Sequence, residues 1–255
     1  MSTYSAYIIC TAPRSGSTLL CKLLSATGQS GHPGSHFHAT SLVEWLDYFS
    51  LARHSDEIEQ ETLRRVFEAA RTKGRGTSGI YGLRLQRHSF DFFAQSLKAL
   101  HPGAGSDKER LEATFGQTLF IHLTRSDKLA QAISFVKAEQ TGLWHKASDG
   151  SELERLSPPQ PPQYDYNRLK ACRDQFRQYD QDWDKWFTAQ SITPLRVGYD
   201  ELSTDPSATL RAILTALDLD AGLADGIAPA VSKLANATNQ QWAEKFEADN
   251  ARPAD

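Results

Sequence analysis

The sequence predicts an α/β fold in three layers, with a mainly parallel sheet between two layers of helices. Short runs rich in β-branched and aromatic residues alternate with amphipathic stretches of helical period along the chain, and this alternation is typical of βαβ units. The first run leads directly into a turn with proline and glycine and then into a helix. Because ligands bind at the carboxyl ends of strands in such sheets, this turn is the first place to look for a site.

The chain opens with a predicted strand, loop and helix. Residues 6–11 are apolar and β-branched or aromatic, residues 12–17 contain a proline and a glycine, and residues 18–26 have helical spacing. The next stretch, 27–39, is predicted to be a loop because three glycines and a proline interrupt it.

Strands and helices continue to alternate beyond this unit. The predicted strands are 80–85, 118–124 and 194–199, and the predicted helices are 41–51, 56–72, 90–100, 107–115, 128–141, 166–187 and 206–217. The polar stretch 147–165 holds four prolines and is predicted to be an exposed loop rather than a linker, because periodic structure resumes on both sides of it. We therefore expect a single domain spanning residues 1–255.

Composition restricts the possible functions. The 255 residues include 28 Lys and Arg against 31 Asp and Glu, a formal net charge of −3, so the chain lacks the basic excess of proteins that coat nucleic acid. No apolar run reaches the roughly 18 residues of a membrane span, and no targeting signal is visible. The three cysteines cannot all pair and lack metal-binding spacing, which favours a reducing, cytoplasmic location. Any anionic ligand must then be held by a few local cations.

The loop after the first strand has the features of an anion site. At a helix start, backbone N–H groups and the helix dipole both favour negative charge. Arg14 adds a full positive charge, Gly16 permits a left-handed backbone, and Ser15, Ser17 and Thr18 add hydroxyl donors. An ordinary capped helix start also contains Ser and Thr, so it is the position at the end of a strand that favours the anion site.

The same loop departs from the common nucleotide motifs. It has neither the lysine nor the second glycine of Gly-x-x-x-x-Gly-Lys-Ser/Thr, and it does not match Gly-x-Gly-x-x-Gly. A metal-dependent kinase would also place an aspartate after a second apolar strand, whereas strand 118–124 ends in Arg125. We predict no metal site, and a nucleotide-dependent kinase with an unusual loop stays an alternative that a divalent-metal requirement would reveal.

Arg125 and Ser134 form a second candidate anion site. Arg125 stands at the carboxyl end of its strand, and Ser134 follows nine positions later, about two and a half turns into the next helix. A guanidinium fork and a hydroxyl can then bind one phosphate. Taken alone, the pair is better explained as a surface arginine and an unrelated serine. Together with the first loop, it predicts a nucleotide with phosphates at both ends of its ribose.

At these residues the sequence resembles the Stf0-type bacterial sulfotransferases, the trehalose 2-sulfotransferase family. The matching motifs follow the family's order along nearly the whole chain, and this joint order is more specific than any one motif. The motifs are Arg-Ser-Gly-Ser-Thr-Leu-Leu at 14–20, Arg-x-Asp at 125–127, Gln-Ala-Ile-Ser-Phe at 131–135, Trp144, Trp-Phe-Thr at 186–188 and Trp-x-x-x-Phe at 242–246.

The resemblance implies transfer of a sulfonyl group from 3′-phosphoadenosine 5′-phosphosulfate (PAPS) to a hydroxyl of a sugar or glycoconjugate, by a homodimer that needs no metal. It implies a P-loop-like phosphosulfate loop after the first strand and a 3′-phosphate site on the second motif. The donor-binding residues implied are Arg14, Ser15, Gly16, Ser17, Thr18, Leu19, Arg125 and Ser134.

In the implied reaction the acceptor oxygen attacks sulfur in line while cations stabilise the charge on the leaving phosphate. We predict Arg14 as the catalytic cation. Arg84 matches a family lysine and is predicted to assist at the substrate, although a surface arginine with a packed stem would give the same pattern.

One catalytic residue of the family is missing. An acceptor alcohol needs a general base at neutral pH, and the family places a glutamate for it in a Gly-x-Pro-x-Glu segment. Ser35 occupies that position here. We predict His36 as the base because imidazole titrates in the right range, with His32 as the alternative, and we expect His32, Ser35 and Arg84 to contact the acceptor.

Other interpretations of this segment stay open. The spacing of His32, His36 and His38 could bind a metal, or the histidines could only shape an acceptor pocket. Glu44 or Asp47 could also act as the base. A chain that kept the donor site and lost the base could be a nucleotide-binding protein without catalytic activity.

Overall fold

The computed structural model describes residues 3–54, 56–231, 234 and 236–251. In chain order its strands are β1 (Ala6–Thr11), β2 (Tyr81–Gln86), β3 (Thr118–Thr124), β4 (Leu143–Lys146), β5 (Glu152–Arg155) and β6 (Leu195–Gly198). The helices are α1 (Ser17–Ala26), α2 (Leu42–Tyr48), α3 (Glu59–Gly74), α4 (Arg87–Leu100), α5 (Asp107–Phe115), α6 (Lys128–Thr141), α7 (Tyr166–Ala189), α8 (Tyr199–Thr204), α9 (Pro206–Ala216) and α10 (Ala237–Asn250), with a 3₁₀ turn at Ala221–Ala224.

Four parallel strands form the central sheet in the order β2-β1-β3-β6. Ala6 of β1 stands opposite Tyr81 on one side and Thr118 on the other, so these three strands run in register and end at one edge. The chain leaves β1 first toward β2 and later toward β3. That reversal opens a crevice at the carboxyl ends of β1 and β3, which is where ligands bind in open α/β sheets.

Strand β1 shows how the sequence specifies three layers. All six of its residues are buried, as expected for a parallel strand covered on both faces. Ala6, Ile8 and Cys10 pack into one core with α3, α4 and α7, whereas Tyr7 and Ile9 pack into a second core with α1 and α9. The predicted three-layer α/β class is therefore confirmed.

A third apolar cluster lies beside the crevice. It joins α6, α7 and α10 through residues such as Ile133, Phe176 and Phe246. The indole N–H of Trp183 on α7 also donates to the carbonyl of Thr11, at 3.0 Å. The long helix α7 thus fixes the end of β1 just before the anion loop begins.

The hairpin β4–β5 is the main difference from the predicted elements. Its second strand falls inside the stretch 147–165 that we predicted to be loop. Glu152–Arg155 gives no alternating apolar signal, since three of its four residues are exposed, and its strand conformation comes from antiparallel pairing with Leu143–Lys146. Helix α10 was also not predicted. None of the helices in the described part of the chain is long and apolar enough to cross a bilayer.

Candidate functional site

A cavity of about 980 Å³ opens at the carboxyl ends of β1 and β3. This volume is at the upper end of the roughly 300–1,000 Å³ typical of ligand pockets. The walls are the loop after β1, the end of β2, helix α6, the β4–β5 hairpin and helix α7. The predicted site residues in the lining are Arg14, Gly16, Ser17, Thr18, Leu19, Ser35, Arg84, Arg125 and Ser134.

The backbone of the loop after β1 turns twice through the left-handed region. Arg14 has φ of 62° and Gly16 has φ of 88°, and alternating conformations of this kind make concave nests of N–H groups that bind anions. A non-glycine residue such as Arg14 is strained there, and such strain concentrates at functional sites. Helix α1 begins at the next residue, Ser17, so its N-terminus faces the same space.

Side chains from neighbouring elements hold this loop. The buried Gln131 of α6 donates its side-chain amide to the carbonyl of Pro13 at 2.6 Å. The Thr11 hydroxyl donates to the carbonyl of Leu123 on β3 at 2.7 Å and lies 2.5 Å from the hydroxyl of Ser15. Ser15 is itself buried, so its hydroxyl fixes the loop from behind. Sequence reasoning gave Gln131 only as part of a motif; a glutamine among the apolar residues of a helix was the available signal.

The two predicted anion sites meet in this cavity. The Nε of Arg14 donates to the hydroxyl of Ser134 at 3.0 Å, although 120 positions separate them. Its Nη1 donates to the carbonyl of Trp144 at 2.6 Å. The guanidinium of Arg125 lies 4.6 Å from the ring centre of Tyr199, and its Nη1 approaches the carbonyl of Arg14 at 3.5 Å. Burial and the like charge of Arg125 lower the pKa of Arg14 to about 10, so this guanidinium stays charged at neutral pH.

Arg84 connects the loop to the segment that carries Ser35. Its Nε donates to the Ser35 hydroxyl at 2.8 Å, and its Nη1 donates to the hydroxyls of Thr18 at 3.0 Å and Ser17 at 3.3 Å. The side chain therefore points into the cavity rather than along the outer surface. A third cation thus stands beside Arg14 and Arg125, with few carboxylates nearby.

His36 is placed differently from our prediction. It is only 2 % exposed, is absent from the cavity lining, and has its Nδ1 3.3 Å from the Tyr81 hydroxyl. Burial, with the charges of Lys73 and Arg84, lowers the pKa of His36 to about 4. The His36 side chain thus does not face the cavity as our prediction required, and its role as base stays a prediction. The alternative, His32, is exposed but also lies outside the lining.

The other interpretations of this segment can be compared with the same geometry. Glu44 and Asp47 are exposed on α2 and do not line the cavity, whereas His38 does line it. Over the described residues, no three His, Cys, Asp or Glu side chains are grouped so that they could hold a metal ion. His38 is thus the histidine of this segment that can contact a ligand.

The β4–β5 hairpin supplies two site residues that sequence reasoning missed. The Nε2 of His145 lies 3.1 Å from the Thr18 hydroxyl and 3.4 Å from the Oε2 of Glu154. Burial and three nearby cations lower the pKa of His145 to about 4, so this imidazole is neutral at pH 7. The three cations are Arg14, Arg84 and Lys22.

Comparisons of the sequence with known proteins match nearly the whole chain to one family. The family model for the Stf0 sulphotransferases matches residues 6–249. The chain is similar to the trehalose 2-sulfotransferases of Mycolicibacterium smegmatis, with 25% identity over 97% of this chain and 96% of the relative, and of Mycobacterium tuberculosis, with 27% identity over 96% of each.

Two solved structures are also similar over most of their length. One is the sulfotransferase domain of the olefin synthase of Synechococcus PCC 7002, with a TM-score of 0.39 and 18% identity, covering 95% of this chain and 94% of that one. The other is a sulfotransferase from Alicyclobacillus acidocaldarius, with a TM-score of 0.43 and 13% identity, covering 95% and 91%.

Proposed function

The chain belongs to the Stf0 sulphotransferase family, and from this premise we propose that it transfers the sulfonyl group of PAPS to a hydroxyl of a sugar. The observation that carries the proposal is the hydrogen bond between Arg14 and Ser134. It joins the two candidate anion sites at the crevice between β1 and β3. A donor with a 5′-phosphosulfate and a 3′-phosphate needs two such sites within one nucleotide length of each other.

In the proposed donor complex the loop from Arg14 to Leu19 holds the 5′-phosphosulfate through its N–H groups and hydroxyls. Arg125 and Ser134 hold the 3′-phosphate. The guanidinium groups of Arg14 and Arg125 are half-buried, and burial first and their like charge second lower the pKa of Arg14. A bound polyanion would relieve the repulsion between them. The negative charges of the donor would thus balance the positive charges of these arginines.

The proposed chemistry is a single in-line displacement. The acceptor oxygen forms a bond to sulfur while the bond from sulfur to the bridging phosphate oxygen breaks, and that oxygen keeps the electron pair. Arg14 and Arg84 stabilise the charge that grows on the leaving phosphate and on the sulfonyl oxygens. Preorganised donors of this kind typically contribute about 3–4 kcal/mol each to transition-state stabilisation.

A sugar acceptor fits the rest of the cavity. Beyond the anion loop its walls include Trp144 and Tyr179, and aromatic faces are suited to packing on sugar rings. The curated relatives are named for trehalose, which makes trehalose the first acceptor to test.

The donor assignment can be tested by calorimetry with adenosine 3′,5′-bisphosphate and with AMP, which lacks the 3′-phosphate. Replacing Arg125 with methionine should weaken bisphosphate binding by about 30- to 150-fold, because a charge-assisted contact is worth roughly 2–3 kcal/mol. AMP binding should change less than about threefold. The matched control is Arg177→Met, which removes an exposed arginine of α7 that pairs with Asp174 away from the cavity.

Equal losses for both nucleotides in Arg125→Met would contradict the assignment of the 3′-phosphate. Activity should be measured in excess chelator as well, because sulfonyl transfer between these groups needs no metal whereas a kinase does. A rate that disappears in chelator would favour the kinase alternative.

A further inference from the structure

The reaction proposed above needs a proton acceptor, and the fold leaves that role open. Ser35 stands where the family has a glutamate, and His36 lies behind the cavity wall. The question is which basic group the cavity offers instead. Among the lining residues in the described part of the chain, Glu154 is the single carboxylate.

We propose that Glu154, on strand β5, is the general base of this chain and that His145 positions it. The inference rests on the proposed sulfonyl transfer. Its support is a continuous set of contacts: Glu154 lies 3.4 Å from His145, which lies 3.1 Å from Thr18 of the anion loop. Arg84 contacts both Thr18 and Ser35, so the contacts run from the hairpin carboxylate through His145, Thr18 and Arg84 to the vacated position.

Exposure and charge favour Glu154 as the proton acceptor. Its side chain is 47 % exposed, so a sugar hydroxyl can reach it. It is also close enough to Arg14 for its charge to raise the pKa of that guanidinium. The carboxylate therefore lies within electrostatic range of the loop where the sulfonyl group would be bound.

His145 fits a positioning role better than the role of base. Its Nε2 already has two partners, the hydroxyl of Thr18 and the carboxylate of Glu154. The cations around it also disfavour a second proton on the ring, as its lowered pKa shows. A neutral imidazole that donates to Glu154 would instead orient that carboxylate.

In the proposed step, proton transfer and sulfonyl transfer occur together. Glu154 takes the proton of the acceptor hydroxyl as the oxygen–sulfur bond forms, and the bridging oxygen leaves on the bisphosphate with its electron pair. The protonated carboxyl then releases its proton to water through the open side of the cavity. The acceptor becomes a sulfate ester, and no oxidant, reductant or metal is involved.

Glu152 provides a matched control on the same strand. It is a glutamate of similar exposure, 45 % against 47 %, but it pairs with Arg155 and does not line the cavity. Trehalose and simple glucosides serve as acceptors with PAPS as donor. Glu154→Gln should lower kcat by about 100- to 1,000-fold, which lies within the roughly 100- to 10,000-fold that a general base contributes. Glu152→Gln should stay within about twofold of the wild type.

Two further measurements separate catalysis from structure. Adenosine 3′,5′-bisphosphate should bind Glu154→Gln at least as tightly as it binds the wild type, because no donor-binding residue is changed and a negative charge near Arg14 is removed. Formate should restore part of the rate of Glu154→Ala, since a small carboxylate can occupy the space that the side chain leaves. A merely structural glutamate would show no rescue.

The outcomes also distinguish this inference from the proposed function. A wild-type chain that fails to bind adenosine 3′,5′-bisphosphate would overturn both. A wild type that binds it and sulfates an acceptor, while Glu154→Gln keeps its kcat or falls no further than Glu152→Gln, would overturn the assignment of Glu154 alone. Loss of rate without rescue by formate would also count against it.

Discussion

Gly16 lies in the anion loop with φ of 88°, and a Cβ built there would lie 2.6 Å from Cδ2 of Tyr199. Two constraints therefore act on one residue: the left-handed backbone, and the close approach of a ring that also contacts Arg125. Any side chain at this position must push Tyr199 away or open the loop. The glycine is thus needed for the shape of the site as well as for the turn.

Gly16→Ala should therefore weaken binding of adenosine 3′,5′-bisphosphate by at least about tenfold and lower the free energy of unfolding by roughly 1–2 kcal/mol. Calorimetry and urea unfolding measure the two effects. The control is Gly79→Ala, where φ is also 88° but a Cβ meets nothing within 4 Å. Comparable loss of binding in both variants would show that binding follows general destabilisation of the fold rather than contact with Tyr199.

Among the elements, the β4–β5 hairpin determines most of what is distinctive about the site. It is anchored at its base, where the Leu156 amide donates to the carbonyl of Gly142 at 2.8 Å, and at the loop, where Arg14 donates to Trp144. Gly142 has φ of 70°, and a Cβ there would lie 2.5 Å from the carbonyl oxygen of Ser157. The hairpin therefore cannot keep its place if this glycine is enlarged.

Gly142→Ala should lower kcat for sulfonyl transfer by about tenfold or more, because a misplacement of about 1 Å at a catalytic group has effects of that order. Donor affinity should change much less, since the loop and Arg125 remain. Gly150→Ala at the hairpin tip is the control: φ is 86°, but the space around it is open. The idea fails if the tip variant loses as much activity as the base variant.

The same hairpin carries site residues that the sequence alone could not predict. Strand β1 could be predicted because burial on both faces requires an unbroken apolar run, and Arg14 and Arg125 could be proposed because they follow such strands directly. Glu154 could not, since it sits in a short charged strand and comes near the loop only through tertiary pairing. His36 shows the converse: its sequence position suggested a base, but the rings of Tyr48, Phe49 and Tyr81 pack against it and enclose it.

At the scale of the whole molecule, a slightly acidic chain concentrates positive charge at one edge of its sheet. The formal net charge is −3, yet Arg14, Arg84 and Arg125 share the cavity with Glu154 as its lining carboxylate in the described residues. The topology produces this contrast, because the reversal of strand order brings the ends of β1, β2 and β3 together. Three histidines of the fold are also shielded from water, His36 and His122 fully and His145 partly.

Those histidines make the stability of the fold sensitive to acid. The pKa values of His36, His122 and His145 are each lowered from 6.5 to about 4, with burial as the largest cause. In the unfolded chain such groups take up protons near pH 6.5, whereas in the folded protein they stay neutral until about pH 4. The unfolded state therefore binds more protons below pH 6.5, and stability falls as the pH decreases from 6.5 toward 4.

His36 provides the cleanest test, because it is fully enclosed and faces the Tyr81 hydroxyl and the charges of Lys73 and Arg84. Between pH 7.5 and pH 5, protonation of His36 in the unfolded chain should lower the free energy of unfolding by about 2 kcal/mol. Urea unfolding at the two pH values should show His36→Asn losing about 2 kcal/mol less than the wild type on acidification, whatever its stability at pH 7.5. His32→Asn, at an exposed histidine of the same loop, is the matched control. The prediction fails if the free energy of unfolding falls equally on acidification in His36→Asn and in the wild type. That result would mean that the ring is already protonated in the folded protein, or that acid opens the segment around Tyr81 before the molecule unfolds.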